Sequence, residues 1–396
     1  MSQNSSTDEG SDFLSPESGI TNRLFSRFGL TQTIWRRVLR SLLLVLVTWV
    51  PLVVLASFSG QASGHTVAVS LLRDPEVNCR FLVALPLLSL VEVFVLTSLA
   101  IQVRQFLTSG ILADAEKARF EAIRQQVRRW HQAVGTEVAL MVLSLVLSLV
   151  LSLVLRRFVF TDAASSWERK SNVISPAGWW HLLVSLPILY FFLMRALLMF
   201  FLWGWFLFRT SRLELRLTPT HPDRAGGLGF LGWGLASFGP TVLAFSAVVS
   251  AGFAYEIYHR GESLQSLKYH LIIYVLLITA VIHLPVLTLL GQLTRTRLRG
   301  LLEFTNLAWK HDRSFDEKWI HQPQSKNSEK ILGSSDVLSL ASMATGYEHI
   351  NNMRVVPFDA RAASIIALAA VVPLLPLIGT EIPFPEIIAR LGEFLI

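Results

Sequence analysis

Apolar residues in this chain do not alternate with polar ones at the period of a strand or of a one-sided helix. They gather into seven blocks of about twenty residues, separated by short polar stretches: 38–57, 81–103, 137–155, 181–208, 235–258, 271–291 and 362–379. About twenty apolar residues in a row is what an α-helix needs to cross a bilayer. The pattern therefore predicts an all-α, polytopic membrane protein with about seven transmembrane helices and helical extensions on the cytoplasmic side. The third block is the plainest, a Leu/Val run with Ser144, Ser148 and Ser152 at four-residue spacing. Such a stripe of small residues lets another helix approach closely. The seventh is interrupted by Pro373 and Pro376.

The polar stretches divide the rest. Residues 1–30, rich in Ser, Asn, Asp and Glu, bury too little surface to offset chain entropy and read as a disordered cytoplasmic N-terminus. Gly60-Gln61-Ala62 is a weak cleavage-like site, and a retained signal anchor is the preferred reading. Residues 31–291 then hold six helices, 292–361 form a cytoplasmic segment, and 362–396 supply the last helix and a tail. Within the cytoplasmic loop 104–136, Phe120, Ile123, Val127, Trp130 and Val134 step by three and four, an apolar stripe on a helix. Ser334-Ser335-Asp336 is a helix-start signal ahead of Val337, Leu340, Ala344 and Tyr347. Residues 311–333, polar and containing Pro323, read as a flexible loop.

Composition and charge add orientation. Hydrophobic residues make up 52% and charged residues 16% of the 396 positions, against about 25% charged in an average soluble domain. The net charge of +7 raises nucleic acid as a partner, which is rejected because the cations flank apolar blocks and form no aromatic-interleaved stripe. With the N-terminus inside, 25 of the 35 Lys and Arg fall on the cytoplasmic side and nine outside, while Arg195 lies within a block. That asymmetry predicts a cytoplasmic N-terminus, and an odd number of crossings puts the C-terminus outside. The lipid bilayer is the expected partner, with a second copy or another membrane protein left open. The single cysteine, Cys79, excludes an internal disulfide and a multi-thiolate metal site, and reads as a small exposed or interfacial residue. No cofactor and no metal are expected.

Blocks two, four and six share a phrase: Leu85-Pro86-Leu87-Leu88, Leu186-Pro187-Ile188-Leu189 and Leu284-Pro285-Val286-Leu287. Three parallel two-helix repeats plus a terminal helix would produce it, as in some transporters, although Leu and Pro are common enough in membrane helices to coincide. The same three blocks carry the central ionisable residues Glu92, Arg195 and His283. A lone charge at the bilayer centre costs about 2.5–3.5 kcal/mol on insertion scales and seeks a partner. Glu92 and Arg195 are the obvious pair, either in a solute or ion pathway or as a fixture of helix packing. For His283 a hydrogen-bonded packing role is preferred over proton relay.

Between blocks four and five lies the most distinctive segment, Thr218-Pro-Thr-His-Pro-Asp-Arg-Ala-Gly-Gly-Leu-Gly-Phe-Leu-Gly232. Pro219 and Pro222 prevent regular helix, and Gly226, Gly227 and Gly229 open backbone conformations closed to other residues. His221, Asp223 and Arg224 place a base, an acid and a cation within four positions. The loop is a candidate anion-binding or functional site, with a tight connector as the alternative. It matches neither the dinucleotide nor the P-loop pattern, and His221 with Asp223 alone are too few for a metal. Neither Gly-x-Ser-x-Gly nor His-Glu-x-x-His occurs.

His221-Pro-Asp-Arg-Ala-Gly-Gly-Leu-Gly-Phe-Leu-Gly232 resembles the signature loop of a family of uncharacterised bacterial multi-pass inner-membrane proteins. A second block, Ser335-Asp-Val-Leu-Ser-Leu-Ala341 continuing to Met353-Arg-Val-Val-Pro-Phe-Asp359, resembles the same family. The resemblance covers about the second half of the chain and implies a membrane fold, not an activity. The function read from the sequence is a transporter or channel-like subunit for a small solute or ion. A membrane sensor or assembly partner, and an enzyme using His221, Asp223 and Arg224, remain as alternatives. The orientation is directly testable. Reporters fused after Asp162 are expected outside and those fused after Arg128 or Gln324 inside; a cytoplasmic signal at Asp162 would overturn it.

Overall fold

The computed structural model describes residues 34–63, 67, 69–158, 166–170, 173–321 and 334–380. The expected N-terminal disorder, the 322–333 part of the expected loop and the tail after 380 lie outside these residues. Apart from two isolated bridges and one two-residue β-pair, Arg169–Lys170 with Val173–Ile174, the described secondary structure is helical.

Seven of the described helices are long and apolar enough to cross a membrane: α1 (Arg37–Phe58), α2 (Pro75–Thr108), α4 (Val134–Ser152), α5 (Pro176–Thr210), α6 (Leu231–Arg260), α7 (Leu264–His283) and α10 (Ala360–Thr380). The chain is thus an integral membrane protein. Between them lie α3 (Lys117–Gln132), α8 (Leu290–Asp316) and α9 (Ser335–Asn351). In α2, α5 and α6 half or more of the apolar window is buried, against a third or less in the other four. Those three form the centre; α1, α4 and α7 turn most of their apolar surface outward, as lipid-facing helices do. Ser148 Oγ donates to the Leu182 carbonyl at 2.7 Å, and Ser144 is buried beside it. The serine stripe thus seats α4 on α5, while Ser152 stands outside that contact and bonds back to Leu149.

The shared proline phrase has a structural counterpart in two of its three places. Asp74 caps the start of α2, accepting from the Glu76 and Val77 amides, with Pro75 in the first turn. Ser175 caps α5 in the same way through the Gly178 amide, with Pro176 following. Each helix then widens into a π-turn, Arg80–Ala84 in α2 and His181–Ser185 in α5, just before Leu85-Pro86 and Leu186-Pro187. A proline lacks the amide that would close the regular bond, and its ring crowds the carbonyl four residues back, so the preceding turn opens. Caps, π-turns and prolines all recur at a spacing of 101 residues. The two caps are also tied together: Trp167 Nε1 donates to Asp74 Oδ2 at 3.0 Å, and Ser175 Oγ donates to the Trp167 carbonyl at 2.8 Å. The third phrase does not repeat this form. Helix α7 stops at His283, and Val286–Leu289 is a 3-10 turn, so Pro285 breaks the helix that was expected to continue to 291.

Other expectations are corrected by packing. Residues 311–321 are not a loop. They finish α8 and add a π-turn, because they pack on α9: His311 Nε2 lies 2.8 Å from Ser339 Oγ, and Lys318 and Trp319 both bond Asp336 Oδ2. On α3 the buried stripe is Phe120, Ile123, Val127 and His131; Val134 already begins α4, and Trp130 edges onto Trp205 with centroids 4.7 Å apart. Helix α9 starts where expected, capped by Ser334. It meets α8 through Gly346, against Phe304, leaving Val337 and Tyr347 exposed. Cys79 is half-buried, its thiol donating to the Ala247 carbonyl of α6.

Gly178 marks a junction closed by backbone. A Cβ there would stand 2.5 Å from the Glu168 carbonyl oxygen. Gly178→Ala is therefore expected to cost about 1–3 kcal/mol in thermal unfolding, as overpacking does. Gly252→Ala, in the open middle of α6, is expected to leave stability unchanged or raise it. Equal effects would contradict this packing.

Candidate functional site

Arg195 is the centre of the candidate site. Its Nη2 donates to Glu92 Oε1 of α2 at 2.6 Å, and its Nη1 donates to Glu137 Oε1 of α4 at 2.8 Å. All three side chains are buried, each at most 8% exposed. Arg40 of α1 is buried nearby, over the Phe192 ring and within electrostatic reach of Glu92 and Arg195. A second tie between α1 and α2, the 2.7 Å bond between Ser41 and Ser89 hydroxyls, holds that corner closed. One more ionisable group completes the cluster. His131, at the end of α3, has a side chain only 1% exposed, with Nε2 3.8 Å from Glu92 Oε1. Neither of its ring nitrogens has a hydrogen-bond partner. Burial holds its pKa below the ordinary value and outweighs the opposing pull of Glu92. With His131 neutral, two carboxylates face two guanidinium groups and the cluster carries no net charge.

Glu137 sets the level of this cluster along the helices. Helices of 34 and 35 residues are about 50 Å long, while the hydrocarbon layer is about 30 Å thick. Both helices therefore extend beyond the apolar layer. Glu137 sits in the first turn of α4, so its bond to Arg195 places Arg195 level with the beginning of that span. The cluster lies at the beginning of α4, against α3. A pocket of about 10 Å³ opens beside Glu92 and Arg195, between Phe192 and Met199, room for about one water.

His283 is not part of it. The structure places it at the end of α7, with Nδ1 2.7 Å from the Thr279 carbonyl and its ring 4.7 Å from Phe358. It was expected level with Glu92 and Arg195 because the sixth span was drawn seven residues too late at its start.

The 221–232 loop is irregular, as its prolines and glycines dictate. Gly226 and Gly227 take positive φ, and so does Arg224 at 53°. Its amides do gather round an anion, but the anion is the loop's own. Asp223 Oδ1 accepts from the Ala225 and Gly227 amides at 2.8 and 3.1 Å, and Oδ2 accepts from the Gly229 amide at 2.8 Å. His221 Nδ1 lies 2.8 Å from the same carboxylate. Burial alone would raise the Asp223 pKa; the three amides and His221 outweigh it and hold the carboxyl below its usual range. The amides expected to be open to an external anion are thus filled. Arg224 remains exposed.

Arg354 ties this loop to the 353–359 segment. Its Nη2 donates to the Asp223 carbonyl, its amide to the Arg224 carbonyl, and its Nη1 to the Phe358 carbonyl. Gly226 faces Met353 and Leu293, Gly300 faces Pro219, and Gly232 faces Ala362 and Phe358. The loop is the joint at which α6, α8 and α10 meet. Among the described residues, no group of three or more His, Cys, Asp or Glu side chains could hold a metal.

Glu137, His131 and Arg40 were missed in the sequence. Glu137 and Arg40 looked like ordinary charges at the edge of an apolar block. The one available signal was the stripe of α3, since His131 follows Phe120, Ile123 and Val127 at the next helical step. Compared with family models, curated proteins and solved structures, the chain matches none.

Two predictions follow from this geometry. Breaking a buried ion pair from one side costs about 3–5 kcal/mol. Arg195→Gln orphans two carboxylates and is expected to cost more than Glu92→Gln, with the double variant milder than the sum in thermal unfolding; strict additivity would contradict the pairing. Asp223→Asn is expected to lower the unfolding temperature at neutral pH. A depressed carboxyl pKa stabilises above its unfolded value, about 3.9, and that contribution is lost as pH falls through the folded value. The deficit of the variant should therefore shrink below about pH 4; a deficit independent of pH would oppose this account.

Proposed function

We propose that this protein is a transporter or channel-like subunit for a small solute or ion in a bacterial inner membrane. Its N-terminus is cytoplasmic and its C-terminus periplasmic, and the Arg195 cluster gates the pathway. The observation that carries this reading is one buried guanidinium shared by carboxylates from two other helices, beside a buried histidine. Charges inside membrane proteins are costly, and they are characteristic of ion and substrate pathways. An arginine held by two partners on separate helices can release one while keeping the other, and that exchange would give the helices it joins a second arrangement. The parallel α1–α2 and α4–α5 pairs, with matching caps and π-turns, fit a transporter-type internal repeat. The bacterial placement rests on the resemblance of the 221–232 and 335–359 blocks and on the distribution of Lys and Arg.

A membrane sensor or assembly partner is the second reading, favoured by one feature. Helix α8 presents Leu298, Leu302 and Trp309, each at least 58% exposed, along one face. The enzymatic reading of His221, Asp223 and Arg224 loses its support, because the Asp223 oxygens already hold the loop together.

The test is flux through the full chain reconstituted in liposomes on a solid-supported membrane, with concentration jumps of protons, sodium, potassium and chloride. A current is expected for at least one ion, changed by about tenfold or more in Glu92→Gln and Arg195→Gln at equal protein density, which corresponds to about 1.4 kcal/mol. No current with any of the four, or currents unchanged in both variants, would count against the gate.

A further inference from the structure

The polar groups of the Arg195 cluster restrict what can bind there. Both carboxylates are engaged by Arg195, and the adjoining pocket has room for about one water. A hydrated metal cation needs six or more oxygen ligands or several retained waters, and neither set is present at this pocket. A solute larger than water does not fit. A proton needs only one free lone pair, and a neutral imidazole has one. The group that offers it is His131, buried, with both ring nitrogens lacking a hydrogen bond.

We propose that His131 is a proton-binding site, and that the proton is the ion to which the Arg195 cluster responds. This rests on the gating role proposed above for the cluster and names its ligand. The step is a simple acid–base one: the unprotonated ring nitrogen takes a proton from hydronium, leaving water and an imidazolium. The charged groups that face it are Glu92 from α2, Glu137 from α4 and Arg195 from α5, with Arg40 of α1 acting on Glu92 and Arg195. Before the step these four charges balance. Afterwards the cluster carries one excess positive charge in a buried site. The cheapest relief is for the imidazolium to close the 3.8 Å gap to Glu92 and compete with Arg195 for it. Arg195 then keeps Glu137 alone, and the tie between α2 and α5 loosens while that between α4 and α5 holds. Proton binding thus selects a second arrangement of the helices, in the manner of any ligand that prefers one of two states.

The sign of the pH dependence follows. Burial disfavours the imidazolium in the arrangement seen here, so this arrangement is favoured above the ordinary histidine pKa, about 6.5, and is lost as pH falls below it.

The experiment is a nitrogen NMR titration of the full chain in nanodiscs, with ¹⁵N-labelled imidazoles, from pH 8 to pH 4. The chain has 10 histidines, and the His131 signal is identified by its loss in His131→Gln. The proposal expects it to titrate below the exposed histidines, and to titrate lower still in Glu92→Gln, which removes the carboxylate that favours the charged ring. Should Glu92→Gln fail to fold, Glu137→Gln supplies the same test with the same direction. An imidazole that stays neutral to pH 4, or one that titrates with the exposed histidines and ignores both carboxylate changes, would overturn the proposal. Flux with such a silent histidine would sink the proton site and leave the gate standing. A titrating His131 in a protein that passes no ion would sink the gate and leave the proton site.

Discussion

A guanidinium buried among helices has to be satisfied where it stands, and in this protein that demand is met by two carboxylates on two other helices. Arg195 takes Glu92 from α2 and Glu137 from α4, so the relative heights of three helices follow from one side chain. Hydrophobic burial alone would not do this. Leu-rich surfaces slide past one another at little cost, and lipid tails are as apolar as the helices. Two charge-assisted hydrogen bonds with fixed directions allow one register. They set the beginning of α4 level with the middle of α5.

The rest of the architecture accommodates that register. Because α2 and α5 extend past the beginning of α4, their ends need a covering outside the apolar layer. Helix α3 supplies part of it through Phe120, which meets Phe106 and Phe206. The 221–232 loop supplies more, and it is held by a carboxylate that uses the loop's own amides. Arg354 then pins the loop to the start of α10. At the opposite end, the matched caps and π-turns of α2 and α5 let each proline sit inside a long helix without ending it. Pro285, lacking such a widened turn, ends α7, and α8 starts at Leu290 after a 3-10 turn.

Much of the fold was legible in the sequence because spans of about twenty apolar residues have few other fates. The seven blocks, the serine stripe at Ser144 and Ser148, the helix start at Ser334 and the partnership of Glu92 with Arg195 all follow from local pattern or from the cost of a lone charge. What failed depends on tertiary register. Glu137 at the edge of an apolar block is an ordinary boundary residue until α4 is placed against α5. His283 looked central because the sixth block starts seven residues after α7 does and runs on through the break at Pro285. Residues 311–321 looked like a loop because their partners, Ser339 and Asp336, lie on another helix. The loop at Asp223 was recognised as a place where amides meet an anion, and the anion turned out to be intramolecular.

If Arg195 sets the register of three helices, its loss should be felt along α4 and α2 and not uniformly. Hydrogen exchange followed by mass spectrometry on Arg195→Gln and the parent protein, in the same nanodiscs, measures this most directly. The account predicts faster exchange in the first turns of α4 and around Glu92 in α2, with α7, which packs on α6 and α10, unchanged. Unaltered exchange in α4 and α2, or an equal increase in every span, would contradict it.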